Sequence, residues 1–187
     1  MQSVWEMWCE GLTRDYCDEL IARGKELPAI EAGIRQGGDA AQMPEVRRSI
    51  VRWLDLYGAD QSVVSTIMSF AKIANRRSFG FDLLEPVEVQ FTEYLGSNNG
   101  VYHWHSDLTV ANPALHDRKL SFIAQLSDPT DYEGGDLEFF GFPSPGPDFK
   151  KKGSVIIFPS FLQHRVTPVT YGIRHSLVSW IEGPKFR

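Results

Sequence analysis

Residues 87–92 read Val-Glu-Val-Gln-Phe-Thr, with Val87, Val89 and Phe91 alternating with Glu88, Gln90 and Thr92. A period of two places the apolar set on one face of an extended chain and the polar set on the other, the pattern of a half-buried strand. Further strands are predicted downstream at 102–107, 120–126, 137–140, 155–158, 164–169 and 176–181. Turn-forming stretches separate them at 96–100, 128–135 and 141–153, the last reading GFPSPGPDFKKKG. About seven short strands at this spacing predict an all-β barrel or sandwich.

Upstream of Phe79 the period changes. Thr13 is placed to cap a helix running to about Leu27, with Cys17, Leu20 and Ile21 on one face and Pro28 stopping it. A second helix is predicted from an N-cap at Asp60 to about Asn75, because Val63, Ile67, Phe70, Ala71 and Ala74 fall at helical spacing. Arg48–Leu54 reads as a short strand. Residues 31–44, EAGIRQGGDAAQMP, read as a mobile loop from their glycines and small residues. The expected organisation is one domain over residues 1–187, with helical support over about 1–80 buttressing a β core over about 81–183.

The chain is 42% hydrophobic and 12% aromatic, enough to fill a β-rich interior. Its net charge of −5 argues against a nucleic-acid partner, whose binding surfaces are usually basic. No apolar run of about 18 residues occurs, so no membrane span is expected. The opening MQSVWEMWCEGL carries Glu6 and Glu10 and no basic segment, and does not read as a secretory signal. Cys9 and Cys17 are too few for a disulfide framework and read as free thiols in a reducing compartment, with the cytoplasm as the expected location.

The residues that carry chemistry begin at His105-Ser106-Asp107. In a strand, residues two apart share a face, so this imidazole and carboxylate project together. His164, at the mouth of another predicted strand, is the candidate third ligand. Two histidines and a carboxylate form the facial set of non-haem Fe(II) oxygenases, which leaves three metal positions open. An isolated H-x-D is common, and most histidines are surface or satisfied core groups. The stretch after His164 strengthens the case. By the same alternation Arg174, Ser176, Val178 and Trp180 share one strand face, and Leu177, Ser179 and Ile181 the other. A guanidinium on an inward face is costly without a carboxylate, and no acidic residue stands beside Arg174 in sequence. A bound dicarboxylate meets that need through a two-pronged hydrogen bond; an internal ion pair with a distant Asp or Glu is the competing reading.

The same counting places other polar residues. His103 falls on the face of His105 and Asp107, as a neighbour of the site or a solvent-facing rim residue. His175 falls on the face away from Arg174. His116 reads as a solvated loop residue, Tyr102 as lining the mouth, and Lys150–Lys152 as a solvated turn. Trp5, Trp8 and Trp53 read as core or interface.

Taken together, Tyr102-x-x-His105-x-Asp107, His164-x-Val166-x-Pro168-Val169, Gly172-x-Arg174 and Trp180 form a specific pattern. Over roughly residues 86–183 it resembles the 2-oxoglutarate/Fe(II)-dependent oxygenases, in their prolyl 4-hydroxylase-like branch. The pair Gly134–Gly135 leading into Asp136-Leu137 fits the family's middle hairpin, and Arg47-Arg48-Ser49 is compatible with it. The resemblance implies a double-stranded β-helix, a jelly roll with helices behind one sheet. It implies Fe(II) on His105, Asp107 and His164, and the distal carboxylate of 2-oxoglutarate on Arg174. It further implies a co-substrate pocket lined by Tyr94, Ser121, Gln125, Val166 and Trp180, with Ser176 as an added hydroxyl on the Arg174 face. Gln125 stands where the family often has tyrosine. O2 is the second co-substrate and ascorbate a further candidate. The implied activity is hydroxylation of a prolyl residue in a protein or peptide, with the 31–44 and 141–153 loops as candidate lids. Two alternatives remain: a hydroxylase of a free amino acid or metabolite, and a non-catalytic cupin-like metal-binding barrel. The cupin reading draws on His103-x-His105, but lacks the expected glutamate and gives Arg174 no role.

Overall fold

A strand with one apolar and one polar face can still be buried on both sides when the polar face lines an interior. The computed structural model describes residues 4–32, 34–36, 39–41, 46–56, 58–84, 86–108 and 116–186. In chain order these form β1 (Glu6–Trp8), α1 (Arg14–Glu26), β2 (Ile30–Glu31), β3 (Ile34–Gln36), β4 (Asp39–Ala41), β5 (Arg47–Arg48), β6 (Ile50–Trp53) and α2 (Gln61–Ala74). A π-helical turn over Asn75–Phe79 extends α2. There follow β7 (Pro86–Leu95), β8 (Val101–His105), β9 (His116–Gln125), β10 (Tyr132–Gly134), β11 (Leu137–Phe139), α3 (Pro147–Lys150), β12 (Val155–Pro159), β13 (His164–Val166) and β14 (Val169–Pro184).

The major sheet runs in the order β1-β12-β9-β14-β7-β6-β2, with β10 also paired to β14. The minor sheet runs β11-β13-β8-β5. The architecture is the jelly roll expected, mainly β, with helices behind one sheet. No helix among the described residues is long and apolar enough to cross a membrane.

Both helices form where the sequence places them. The Thr13 side chain accepts a hydrogen bond from the Tyr16 N–H at the start of α1. Asp60 occupies the N-cap position of α2 but makes no capping bond. Its carboxylate is taken by the Arg23 guanidinium, at 2.8 Å, and by the Asp55 N–H. The apolar faces of α1 and α2, among them Cys17, Leu20, Val63, Ile67 and Ala71, meet Val89, Phe91, Leu120, Phe122, Ile157, Leu177 and Ile181 of the major sheet in one core. Each fully buried side chain of this size contributes about 1.5–3 kcal/mol.

Alternate residues of the same strands point the other way. Gln90, Thr92 and Tyr94 of β7, Ser121, Ile123 and Gln125 of β9, and Arg174, Ser176 and Trp180 of β14 are all buried. Contacts across the gap show where they point: Ile123 packs with Leu137 and Phe139 of the minor sheet, and Tyr94 with Val166 and Tyr102. The interior between the sheets is therefore polar on its major-sheet wall.

Several expectations need correction. The predicted strand at 48–54 is two strands, because the chain passes between sheets at Ser49: β5 joins β8, and β6 joins β7. Part of 31–44 lies outside the described residues, and the rest is not a plain loop, since β3 pairs with β4. The 141–153 segment contains α3. His116 opens β9 rather than lying in a loop. Of the lysines read as a solvated turn, Lys152 is buried and paired with Asp18, and Lys150 turns inward. Trp53 is 39% exposed, with its ring 6.3 Å from that of Trp180.

Candidate metal centre

Antiparallel pairing of β13 with β8 sets His164 directly opposite His105. Two residues of β8, His103 and Trp104, then stand against the single Arg165 before the strands re-pair at Tyr102 and Val166. Such a bulge re-aims the side chains beyond it. It overturns the period-two count for His103, which is exposed, and turns Tyr102 to the side of His105 instead. The two rings stack, with centroids 3.4 Å apart and planes 12° from parallel.

Asp107 lies two residues past the end of β8. Its N–H and that of Leu108 both donate to the Ser160 carbonyl, at 2.9 and 3.0 Å. One nitrogen or oxygen from each of His105, Asp107 and His164 falls within 4.8 Å of the others. The His105 Nε2 is 3.7 Å from one Asp107 oxygen, and the His164 Nε2 is 3.6 Å from the other. Donors that each sit about 2.1 Å from a shared ion have to be spaced in this range.

The opposite ring nitrogens fix the tautomers. His105 Nδ1 lies 2.7 Å from the His103 carbonyl, and His164 Nδ1 lies 3.0 Å from the Leu162 carbonyl. A carbonyl can only accept, so each Nδ1 carries the hydrogen and each Nε2 lone pair is free for a metal. Burial, then the neighbouring His164, pushes the His105 imidazole down to about 3, so it is neutral and able to ligate. Burial acts to raise the Asp107 carboxyl, but His164, His105 and a hydrogen bond from Ser121 outweigh it and the net shift is downward. The Ser121 hydroxyl donates to Asp107 Oδ2 at 2.6 Å and lies 3.0 Å from the Ser160 hydroxyl. Phe158 packs edge-on against the His164 ring, with centroids 4.8 Å apart.

Arg174 is only 2% exposed, and among the described residues no carboxylate pairs with it. It faces Tyr94, its register partner on β7, with the guanidinium 5.5 Å from the ring centre. It lines a cavity of about 220 Å³ together with Gln125, Tyr132, Gly135, Asp136, Leu137 and Lys150, and the one carboxylate among these, Asp136, is paired with Lys150. Gln125 Nε2 donates to the Tyr132 hydroxyl at 3.0 Å, while the buried Gln125 Oε1 has no protein partner. A cavity that holds an uncompensated guanidinium and an unmatched amide oxygen fits an anion carrying further polar atoms.

The remaining predicted residues divide between two places. Tyr94 and Val166 pack in one cluster with Tyr132 and Val169, and Gln125 lines the cavity itself, as does Tyr132. Ser121 is bonded to Asp107 rather than placed at the cavity. Ser176 is buried opposite Thr92 and Gln125. Trp180 stands further along β14, its indole N–H unpartnered and the Arg118 guanidinium 3.9 Å over its ring. His175 is outside the site, bound to Ser127 and Glu93. Sequence reasoning missed Ser160, Tyr132 and Lys150. Only Tyr132, two residues before the Gly134–Gly135 turn, carried any local signal, that of an aromatic residue close to a glycine pair.

A jelly roll whose interior carries two histidines, one carboxylate and a buried arginine defines an iron- and oxo-acid-dependent class. The sequence model of the 2OG-Fe(II) oxygenase superfamily matches residues 89–182, half of the chain, and the chain belongs to that superfamily. Fe(II), 2-oxoglutarate and O2 are accordingly its cofactor set, and the donor set described above fits them. A PKHD-type hydroxylase of Synechococcus sp. (strain CC9311) is 43% identical over 83 residues, which are 44% of this chain and 37% of the relative's length. The match thus spans little more than a third of that relative. Among solved structures, the viral collagen prolyl hydroxylase of Paramecium Bursaria Chlorella virus-1, in its 2OG complex, superposes with a TM-score of 0.70 at 20% identity over 97% of both chains. A Pseudomonas putida prolyl-4-hydroxylase superposes with a TM-score of 0.70 at 21% identity, over 97% of this chain and 94% of the other.

Proposed function

We propose that the chain is a hydroxylase in which His105, Asp107 and His164 hold Fe(II), Arg174 anchors the distal carboxylate of 2-oxoglutarate, and the substrate is a prolyl residue in a protein or peptide. The observation that carries it is the pairing of three convergent donor atoms with a buried guanidinium that lacks a carboxylate, on walls of one barrel. When bound, iron, 2-oxoglutarate and O2 supply oxidation of an unactivated C–H bond, with succinate and CO2 as co-products.

The chain's own residues bind, orient and shield. The His103 and Leu162 carbonyls hold the two imidazoles with Nε2 inward, and Ser121 holds the carboxylate between them. Arg174 takes a carboxylate through its planar fork, and Gln125 and Tyr132 offer further polar atoms to it. Phe158, buried against the His164 ring, keeps water from that ligand. The peptide reading is supported by the names of similar proteins: a PKHD-type hydroxylase and a collagen prolyl hydroxylase. We further read residues 1–187 as one domain, the partner as neither nucleic acid nor membrane, and the free thiols of Cys9 and Cys17 as a sign of a reducing, cytoplasmic setting.

Incubating proline-containing peptides with the protein, Fe(II), 2-oxoglutarate, ascorbate and O2 should give succinate and a mass gain of one oxygen on proline. Turnover confined to free amino acids or other small molecules would overturn the peptide reading. No succinate with any substrate would favour the non-catalytic barrel. Breaking a desolvated charge pair costs about 2–5 kcal/mol, so Arg174→Ala should weaken 2-oxoglutarate binding tens- to thousands-fold while metal is retained. Unchanged affinity in a calorimetric titration would show that the anchor lies elsewhere.

A further inference from the structure

The cavity lined by Arg174 continues outward to α3, where Lys150 forms part of its far wall. The Lys150 side chain is 25% exposed and lines the cavity. It donates to the Gly134 carbonyl at 2.8 Å, pairs with Asp136 at 3.2 Å and lies 5.1 Å from the centre of the Tyr132 ring. Tyr132 in turn holds Gln125, and the next residue after Gly134 backs directly onto Arg174: a Cβ at Gly135 would stand 2.8 Å from Arg174 Cδ. The two cations therefore bound one space, Arg174 inside and Lys150 at the outer end. The second partner of Lys150, Asp136, is half exposed, and an ion pair that open to water is weakly held. An ammonium has three donors on a flexible stem and can exchange one carboxylate for another.

We propose that Lys150 is a second cation for the distal carboxylate of 2-oxoglutarate, and that Asp136 competes with that carboxylate for it. The inference rests on the Arg174 reading above. Asp136 pairs with Lys150; a dicarboxylate at Arg174 takes its place, so the two acidic groups exclude each other. The opposite signs expected for the two partners separate this role from a purely structural ion pair.

The test is anaerobic calorimetry of 2-oxoglutarate binding to the Mn(II)-loaded protein, without turnover. Lys150→Met should weaken binding roughly ten-fold, the scale of losing one partly desolvated charge contact. Lys150→Arg should keep most of the affinity, and Asp136→Asn should tighten binding by a few-fold, because the competitor is gone. Shifts in the same direction for Lys150→Met and Asp136→Asn would overturn the proposal, since a wall held by the pair would suffer from the loss of either member. So would an affinity within two-fold of the parent in Lys150→Met. An unchanged affinity in Arg174→Met would overturn the anchor itself and the role of Lys150 with it, whereas a loss in Arg174→Met alone would remove only Lys150. If Lys150→Met does not fold, Lys150→Arg and Asp136→Asn decide: tightening in the latter with near-parent affinity in the former supports the competition, and weakening in both refutes it.

Discussion

Ser121 is buried on β9, with its hydroxyl between Asp107 and Ser160. The sequence marks it as a residue of the site, but gives it to the co-substrate. The structure brings its hydroxyl to Asp107: Ser121 pairs with Phe158 on one side and Trp180 on the other, and donates to the carboxylate. A hydroxyl that orients a ligating carboxylate is worth about 10- to 100-fold in metal affinity. Ser121→Ala should therefore lose metal affinity by that factor, read by competition with a chelating dye. Intact metal affinity with weakened 2-oxoglutarate binding would return Ser121 to the co-substrate. His105, Asp107, His164 and Arg174 were all legible in the sequence because their side-chain types are costly to bury without a purpose. Ser160 and Lys150 were not, because a serine and a loop lysine are ordinary until the fold turns them inward.

Two element-level features place these residues. The bulge in β8 decides which neighbour accompanies His105 into the interior, and strict alternation named His103 where the structure sets Tyr102. Nothing in the residue types of 102–105 announces an extra residue, because a bulge is defined by the count on the partner strand. The second feature is the seat of α1 on β7. A Cβ on Gly24 would lie 2.5–2.7 Å from three atoms of the Phe91 ring. That ring is fully buried and stacked on His175, with centroids 5.5 Å apart. Alanine in a helix gains about 0.8–1 kcal/mol over glycine, but overpacking costs about 1–3 kcal/mol. Gly24→Ala should thus be destabilising, by about 1 kcal/mol, in urea unfolding. A rise in stability would mean that the helix can shift away from the sheet.

At the scale of the whole molecule, a buried polar link ties three strands to α1. Glu93 of β7 meets His175 of β14 and Arg52 of β6, and Arg52 Nε also donates to the Leu27 carbonyl at the end of α1. A hydrogen bond from His175 holds the Glu93 carboxyl down to about 2; burial pushes it up, and Arg52 adds to the lowering. In the unfolded chain a glutamate titrates near ~4.3. The stabilisation is therefore complete above that value and is lost as the pH falls toward 2. With solvent screening allowed for, it amounts to about 1–2 kcal/mol. The stability difference between the parent protein and Glu93→Gln, measured by urea unfolding, should shrink by that amount on acidification from pH 5 to pH 2. A difference that stays constant over the range would show that the carboxylate is no more acidic folded than unfolded.

Strand and helix periods, the H-x-D pair with a later histidine, and an arginine at the head of a strand were written in the chain order, because each depends on local spacing and on the cost of burying charge. They sufficed for the jelly roll, and they named the candidate metal donors and the candidate anion site. What the tertiary structure alone decided was partnership: that Ser121 donates to Asp107, that Tyr102 stacks on His105, and that Lys150 lines the same cavity as Arg174. Those outcomes depend on the pairing of strands far apart in the chain, where one residue more or less on either side changes which side chains meet.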